Sequence, residues 1–147
     1  MGSSTAYHLM RADPFLSVMV VERDSSYSRA STTLSDGNVR IQFNLEENIS
    51  MSQYALEILR TFDIDMATAS FKPDVGARHQ GNLFLTDETG KAEAISGIET
   101  QRELGCDVTW LASDEIQGRF PGLRLQGLVG GTFAQIDGSV DPSAVLR

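Results

Sequence analysis

The feature that most constrains the fold is a continuous apolar run near the N-terminus, Ser17–Glu22 (SVMVVE), which ends on an acidic residue. An unbroken apolar run of this length is typical of a strand buried on both faces of a parallel sheet. It follows Ser3–Arg11, whose apolar residues recur at helical spacing. Asp13–Pro14 then disfavours continuation of that helix. The order of helix, turn and buried strand predicts an α/β fold.

The spacing from Gly2 to Glu22 matches that of a dinucleotide-binding unit. In such units a glycine-rich turn opens a helix, and an acidic residue about 20 positions later binds a ribose hydroxyl. The N-terminus of the helix offers free N–H groups and a positive dipole to a pyrophosphate. Gly2 is the only one of the three expected glycines, and Met-Gly-Ser-Ser also fits a cloning leader. These residues alone therefore leave dinucleotide binding open.

The rest of the chain alternates between helical and strand patterns. Arg23–Arg40 is rich in Ser, Thr, Asp and Gly, which predicts a long loop, and long ordered loops tend to be functional. The predicted helices are Leu45–Phe62, Lys91–Leu104, Ser113–Arg119 and one with Pro142 in its first turn. Gly105 is expected to end the second of these. The predicted strands are Asn82–Thr86, Val108–Leu111 and Leu128–Phe133.

Composition and charge argue against several classes of protein. The net charge of −8 disfavours a nucleic-acid or anionic-membrane surface. No run approaches the roughly 20 apolar residues of a membrane span, and the N-terminus lacks the pattern of a secretory signal. Cys106 is the only cysteine, which suits a reducing compartment such as the cytoplasm or the mitochondrial matrix. His8, His79 and Cys106 lack metal-ligand spacing, so no metal site is expected.

Three sequence blocks resemble the FAD-binding part of known flavoproteins. Gly2–Leu9 (GSSTAYHL) resembles the start of the first helix, Val20–Arg23 (VVER) the second strand with its ribose-binding acid, and Arg29–Arg40 (RASTTLSDGNVR) the next segment that contacts FAD. The blocks are similar to those of the D-amino-acid-oxidase superfamily, which includes sarcosine, dimethylglycine and glycine oxidases. The similarity is closest to a branch with a mitochondrial protein linked to assembly of respiratory complex I, and its bacterial relatives.

Later blocks extend the resemblance over nearly the whole chain. Those similar to the family are Gln42–Ile49, Gly81–Leu85, Gln101–Gly105, Phe120–Gly122 and Asp137–Pro142. The resemblance implies a Rossmann-like FAD-binding domain over 1–70 without its first strand, part of an inserted α+β substrate domain over 71–135, and the start of a return to the FAD domain over 136–147. We therefore expect a chain that is truncated at both ends.

The resemblance implies that four residues bind the adenosine diphosphate part of FAD. Gly2, with Ser3, would let the backbone approach the phosphates, Glu22 would bind the adenosine ribose, and Arg23 would lie beside the adenine. Each of these residues also has a structural interpretation. In that interpretation, Gly2 and its neighbour Ser3 are terminal residues, Glu22 is a solvated acid and Arg23 is a surface arginine.

Four further residues are expected on the flavin side. Ser31 and Thr32 would donate to the pyrophosphate or ribityl chain, although such residues also cap helices. Gly37 would let the chain pass close to the flavin ring, unless it is a turn glycine. Arg40 would lie by the isoalloxazine face and stabilise negative charge on the reduced flavin, which makes it the expected catalytic residue; a salt-bridged surface arginine is the alternative. Leu34–Asp36 replaces the histidines of sarcosine-type enzymes, which argues against a sarcosine-like substrate.

The implied activity of the complete protein is oxidation of a small amine or amino acid by hydride transfer from a C–N unit to FAD. Electrons would pass to oxygen or to a carrier, so an electron acceptor or a respiratory complex is a possible partner. The chain by itself is expected to be inactive. Three alternatives stay open: an NAD-binding dehydrogenase piece, against which Arg29–Arg40 argues; a catalytically idle assembly factor; and a non-enzymatic product of a truncated gene or a misassigned start codon.

Overall fold

A computed structural model describes residues 2–146, which form five helices and five strands. The helices are α1 (Gly2–Ala12), α2 (Glu46–Asp65), α3 (Lys91–Glu103), α4 (Ser113–Arg119) and α5 (Pro142–Val145). The strands are β1 (Asn38–Val39), β2 (Asn82–Thr86), β3 (Thr109–Ala112), β4 (Gly130–Ala134) and β5 (Gly138–Ser139). Two compact units divide the chain between Ala30 and Ser31.

Unit 1, residues 2–30, contains the predicted first helix but not the predicted strand. Helix α1 ends at Ala12, directly before Asp13–Pro14, as expected. The prediction of a buried strand at Ser17–Glu22 is wrong, because the segment has no strand pairing and Met19 and Val21 are 84% and 80% exposed. A strand is held by hydrogen bonds to a neighbouring strand, and residues 2–30 contain none to pair with.

Unit 2, described over residues 31–146, contains two small sheets. In the first, β4 is central and pairs antiparallel with β2 and with β3. In the second, β1 pairs antiparallel with β5, so that Asn38 lies opposite Ser139. All strand pairs of the described residues are antiparallel, which differs from the parallel sheet that the apolar run predicted. The mixture of helices and strands is nevertheless that of the predicted α/β class.

The other local predictions agree with unit 2 to within a few residues. The predicted helices correspond to α2, α3 and α4, and the three predicted strands correspond to β2, β3 and β4. Gly105 has a φ of +82°, a left-handed conformation that glycine adopts at little cost, and its N–H donates to the carbonyl of Arg102 at 2.9 Å. Asp141 caps α5 through its side chain, and Pro142 occupies the first turn, as expected.

The core of unit 2 joins its helices to the sheet. Its buried members are Ile41, Ile49, Ile98, Cys106, Val108 and Ala134. Full burial of a side chain such as Ile49, on α2, contributes about 1.5–3 kcal/mol. Cys106 is 6% exposed and lies in this core, which confirms its interpretation as a small buried residue. Among residues 2–146, no helix combines the length and hydropathy that a bilayer crossing requires.

Candidate functional site

A cavity of about 650 Å³ lies in unit 2 beside the loop that precedes α2. Three parts of the chain form its walls: β1 with the loop residues on either side of it, the middle of α2, and the beginning of β2. The lining residues are Asp36, Asn38, Val39, Arg40, Phe43, Ser52, Ala55, Gly81, Asn82, Leu83 and Phe84. The volume is in the range of small-molecule sites, and the walls combine aromatic, amide and charged groups that could orient a ligand.

Arg40 lies on this wall between two aromatic rings. Its guanidinium carbon is 4.5 Å from the ring centroid of Phe43 and 5.1 Å from that of Phe84. Both distances are within the range of cation–π attraction. The two ion pairs found within residues 2–146 join Glu57 to Arg60 and Asp63 to Lys72, so no carboxylate in direct contact neutralises Arg40. The cavity wall therefore carries a guanidinium in contact with two aromatic faces, and Asp36 is the acidic residue of the same lining.

A buried carboxylate fixes the backbone that follows Arg40. Asp137 is fully buried; one carboxylate oxygen accepts from the Ile41 N–H at 2.8 Å, and the other accepts from Gln42 Nε2 at 2.8 Å. Burial raises the pKa of Asp137, while the hydrogen bonds from Gln42 and Ile41 and the charge of Arg40 act in the opposite direction. This carboxylate thereby joins the turn after β4 to the segment that carries Arg40.

Gln42 extends this contact into a buried polar network. Its Nε2 also donates to the carbonyl of Asn82 at 3.0 Å, and its Oε1 accepts from Thr132 Oγ1 at 2.6 Å. Beside this network, the side-chain amides of Asn38 and Asn82 pair with each other at 3.0 Å in both directions, in a contact that is exposed to solvent. Satisfied buried networks of this kind hold side chains in one arrangement. The network thus fixes one side of the cavity to β2 and β4.

Unit 1 contains the residues expected around the adenosine diphosphate. Gly2 and Ser3 are exposed in the first turn of α1, which contains no acidic residue. A Cβ at Gly2 would meet only Val20, at 3.8 Å, so packing within this unit does not require glycine there. Glu22 and Arg23 are exposed, and Glu22 Oε1 accepts from the Asp24 N–H at 2.8 Å. Glu22 follows a segment without regular secondary structure rather than the expected strand.

The residues expected on the flavin side lie in unit 2. Ser31 and Thr32 belong to a turn region, where the Thr32 carbonyl accepts from Ser35 Oγ at 2.8 Å. Gly37 has a φ of +71°, and a Cβ there would lie 2.2 Å from the carbonyl oxygen of Val140. Its close approach to the segment after β5 therefore requires glycine. These three residues do not line the cavity described above, whereas Arg40 does.

Phe43, Phe84 and Asp137 were not predicted as site residues. Phe43 and Phe84 fit ordinary helix-entry and strand patterns, and Asp137 fits a turn. Phe43 is only three positions from Arg40, which is the one local signal of a contact. The remaining contacts join residues more than 40 positions apart, and no periodicity reports them.

The chain combines an α/β fold with a cavity whose walls carry aromatic, amide and charged side chains. The family model that matches residues 1–147 is that of the FAD dependent oxidoreductases (DAO), and the chain belongs to this family. The match confirms, at family level, the resemblance seen in the sequence.

Known relatives agree with this assignment. The chain is 33% identical over 152 residues to FAD-dependent oxidoreductase domain-containing protein 1 of Bos taurus, and 35% identical over 152 residues to that of Xenopus laevis. Both comparisons cover 100% of the chain but only 31% and 30% of the relatives. The chain thus spans about a third of the length of the curated relatives it matches.

Solved structures share the fold at low identity. Glycine oxidase from Bacillus cereus matches 99% of the chain with a TM-score of 0.73 and 19% identity, over 39% of its own length. L-proline dehydrogenase from P. horikoshii matches 78% of the chain with a TM-score of 0.66 and 22% identity, over 29% of its own length. Both likenesses extend the α/β assignment to known three-dimensional structures.

Proposed function

We propose that this chain supplies the FAD-binding region and part of the substrate domain of an oxidoreductase that oxidises the C–N bond of a small amine or amino acid. The observation that carries the proposal is Arg40, whose guanidinium lies on the wall of the 650 Å³ cavity, in contact with Phe43 and Phe84 and outside the ion pairs found in residues 2–146. The family match over residues 1–147 supports FAD as the group that this cavity serves.

The side chains and backbone groups of each unit have the chemical character that one part of FAD requires. In unit 2, the aromatic and amide walls suit a planar polar ring, and a cation suits a ring that gains negative charge. In unit 1, the first turn of α1 exposes Gly2 and Ser3 without an acidic side chain, which suits phosphate. The exposed carboxylate of Glu22 is free of a contacting cation among residues 2–146, so it can accept from ribose hydroxyls.

Bound FAD would supply the hydride acceptor, and the protein would supply position and charge. Arg40 would stabilise negative charge at the ring, and the Asp137 contacts would keep the backbone after Arg40 in place. Ser31 and Thr32 would donate hydroxyl hydrogen bonds to the pyrophosphate or ribityl chain, and Arg23 would lie beside the adenine. Gly37 would let the chain pass close to the flavin ring.

We also propose the domain boundaries suggested by the sequence, with FAD-binding residues 1–70, substrate-domain residues 71–135 and a return to the FAD domain over 136–147. The pairing of β1 with β5 supports this division, because it joins residues 38–39 to residues 138–139. The sheet β2–β4–β3 uses only residues 82–134, inside the proposed substrate domain.

The test uses the longest natural polypeptide that contains residues 1–147, here called the intact protein. Purified intact protein should show flavin absorbance, and anaerobic mixing with primary, secondary and N-methylated amino acids in turn should bleach it for one class. Arg40→Met should slow bleaching by about tenfold or more, because a charge near the reacting group is lost, whereas Arg119→Met, at another Arg–Phe contact, should not.

Each of the other outcomes supports a different function. Protein that binds no flavin but binds NAD would refute the proposal in favour of a dehydrogenase. Flavin that no amine reduces would refute amine oxidation and favour a non-catalytic flavoprotein, such as an assembly factor.

A further inference from the structure

We propose that Phe43 and Phe84 are positioning residues, which hold the Arg40 guanidinium at the cavity wall and so set the positive charge that the flavin experiences. The inference rests on the proposed function, since it assumes that Arg40 faces bound FAD. It assigns a role to two apolar side chains that the local sequence pattern explains only as structural residues.

The two rings come from different parts of the fold. Phe43 follows Ile41 and Gln42, whose positions the buried Asp137 carboxylate fixes. Phe84 is on β2, whose register with β4 places it opposite Thr132. Each ring is therefore attached to a fixed backbone, and the guanidinium contacts both, at 4.5 and 5.1 Å.

The exposure of Phe84 is consistent with this role. Its side chain is 39% exposed and lines the cavity, although burial would be the ordinary place for a phenylalanine. A ring at the cavity wall offers its negative face to a cation while leaving the guanidinium edge accessible to a ligand.

A fixed guanidinium acts on a ligand more strongly than a mobile one. An arginine side chain loses considerable rotamer freedom when it is ordered. Each cation–π contact at a partly exposed site shifts the population towards the ordered state by about twofold to fivefold. Loss of one ring should therefore weaken, by the same factor, any equilibrium that depends on Arg40 in its ordered position.

Sulfite is the probe for this equilibrium. Its sulfur lone pair forms a bond to N5 of the oxidised flavin, and an electron pair moves into the ring, so that negative charge appears there without any oxidant. The reversible loss of visible flavin absorbance gives Kd. In the intact protein, Phe43→Leu and Phe84→Leu should each raise the sulfite Kd about twofold to fivefold. Phe43→Tyr and Phe84→Tyr, which keep a ring face, should leave it unchanged.

Two backgrounds separate a positioning role from a structural one. Arg40→Met should raise the sulfite Kd by about tenfold or more, and in that background the Leu substitutions should have no further effect. Phe120→Leu is the matched control, because the ring centroid of Phe120 lies 5.6 Å from the guanidinium carbon of Arg119 in another Arg–Phe contact. It should leave the sulfite Kd unchanged in both backgrounds.

The outcomes distinguish this inference from the function on which it rests. Equal effects of the Leu substitutions with and without Arg40 would overturn the positioning role and leave FAD binding intact. An unchanged sulfite Kd in Arg40→Met would show that Arg40, and with it the two rings, does not act on the flavin. Absence of bound flavin in the wild-type protein would overturn both. If a Leu variant loses flavin, the corresponding Tyr variant is measured instead. Because Tyr keeps a ring face, this variant should retain its flavin and the wild-type midpoint potential of that flavin.

Discussion

The buried carboxylate of Asp137 should be among the most sensitive positions for stability in unit 2. Replacement by alanine removes the acceptor for two groups, the Ile41 N–H and Gln42 Nε2, each at 2.8 Å. An unsatisfied buried donor costs about 1–3 kcal/mol. Asp137→Ala should therefore lower the free energy of unfolding by about 2–6 kcal/mol.

Urea unfolding of the intact protein, followed by circular dichroism, measures this loss as a shift in midpoint at constant slope. The matched control is Asp74→Ala, because the Asp74 carboxylate also accepts from a backbone N–H, that of Gly76 at 2.8 Å, but is exposed. Its cost should be about 0.5 kcal/mol or less. Similar losses in the two variants, or a loss below about 1 kcal/mol for Asp137→Ala, would show that the buried contacts do not hold the segment.

Three further results are expected. Gly37→Ala should lower the free energy of unfolding by about 1–3 kcal/mol, because the φ of Gly37 is +71° and the new Cβ would clash with Val140. Gly118→Ala, in open space on α4, should raise it by up to about 1 kcal/mol. Urea midpoints that shift in the same direction in both variants would contradict this. Burial raises the pKa of the Cys106 thiol, so iodoacetamide should label it more slowly in native than in urea-unfolded protein at neutral pH; equal rates would contradict its burial. Burial also raises the pKa of Asp137 above its usual 3.8, so the carboxyl group binds its proton more tightly in the folded than in the unfolded state. The resulting contribution to stability is fully present below about pH 3.8. The stability of wild type relative to Asp137→Asn should therefore fall as pH rises from about 3.8 through the raised pKa; a difference that grows with pH would refute the sign.

Elements that depend on neighbouring residues could be predicted from the sequence. Helix α3 and its end at Gly105, β2, and the start of α5 at Pro142 all follow from spacing, capping and turn residues within a few positions. The family resemblance was likewise carried by short blocks in a fixed order. Of the residues that line the cavity, the resemblance singled out Arg40, and its expected place by the flavin ring stays a prediction.

Features that depend on distant partners could not be predicted in the same way. Ser17–Glu22 has the composition of a buried strand, yet a strand forms only with a hydrogen-bonded neighbour, and residues 2–30 contain none. The burial of Asp137 depends on residues almost a hundred positions earlier, and its own neighbours indicate only a turn. The contact of Phe84 with Arg40 depends on the pairing of β2 with β4. No local pattern contains that information.

The bond between Ile41 and Asp137 also sets an order of events during synthesis. These residues are 96 positions apart, so the Ile41 N–H lacks its native acceptor until Asp137 has left the ribosome. At about 5–20 residues per second, this delay is about 5–20 s. Helix α3 involves much shorter separations and can form within that interval. The backbone that follows Arg40 therefore gains this hydrogen bond only after α3 has been made.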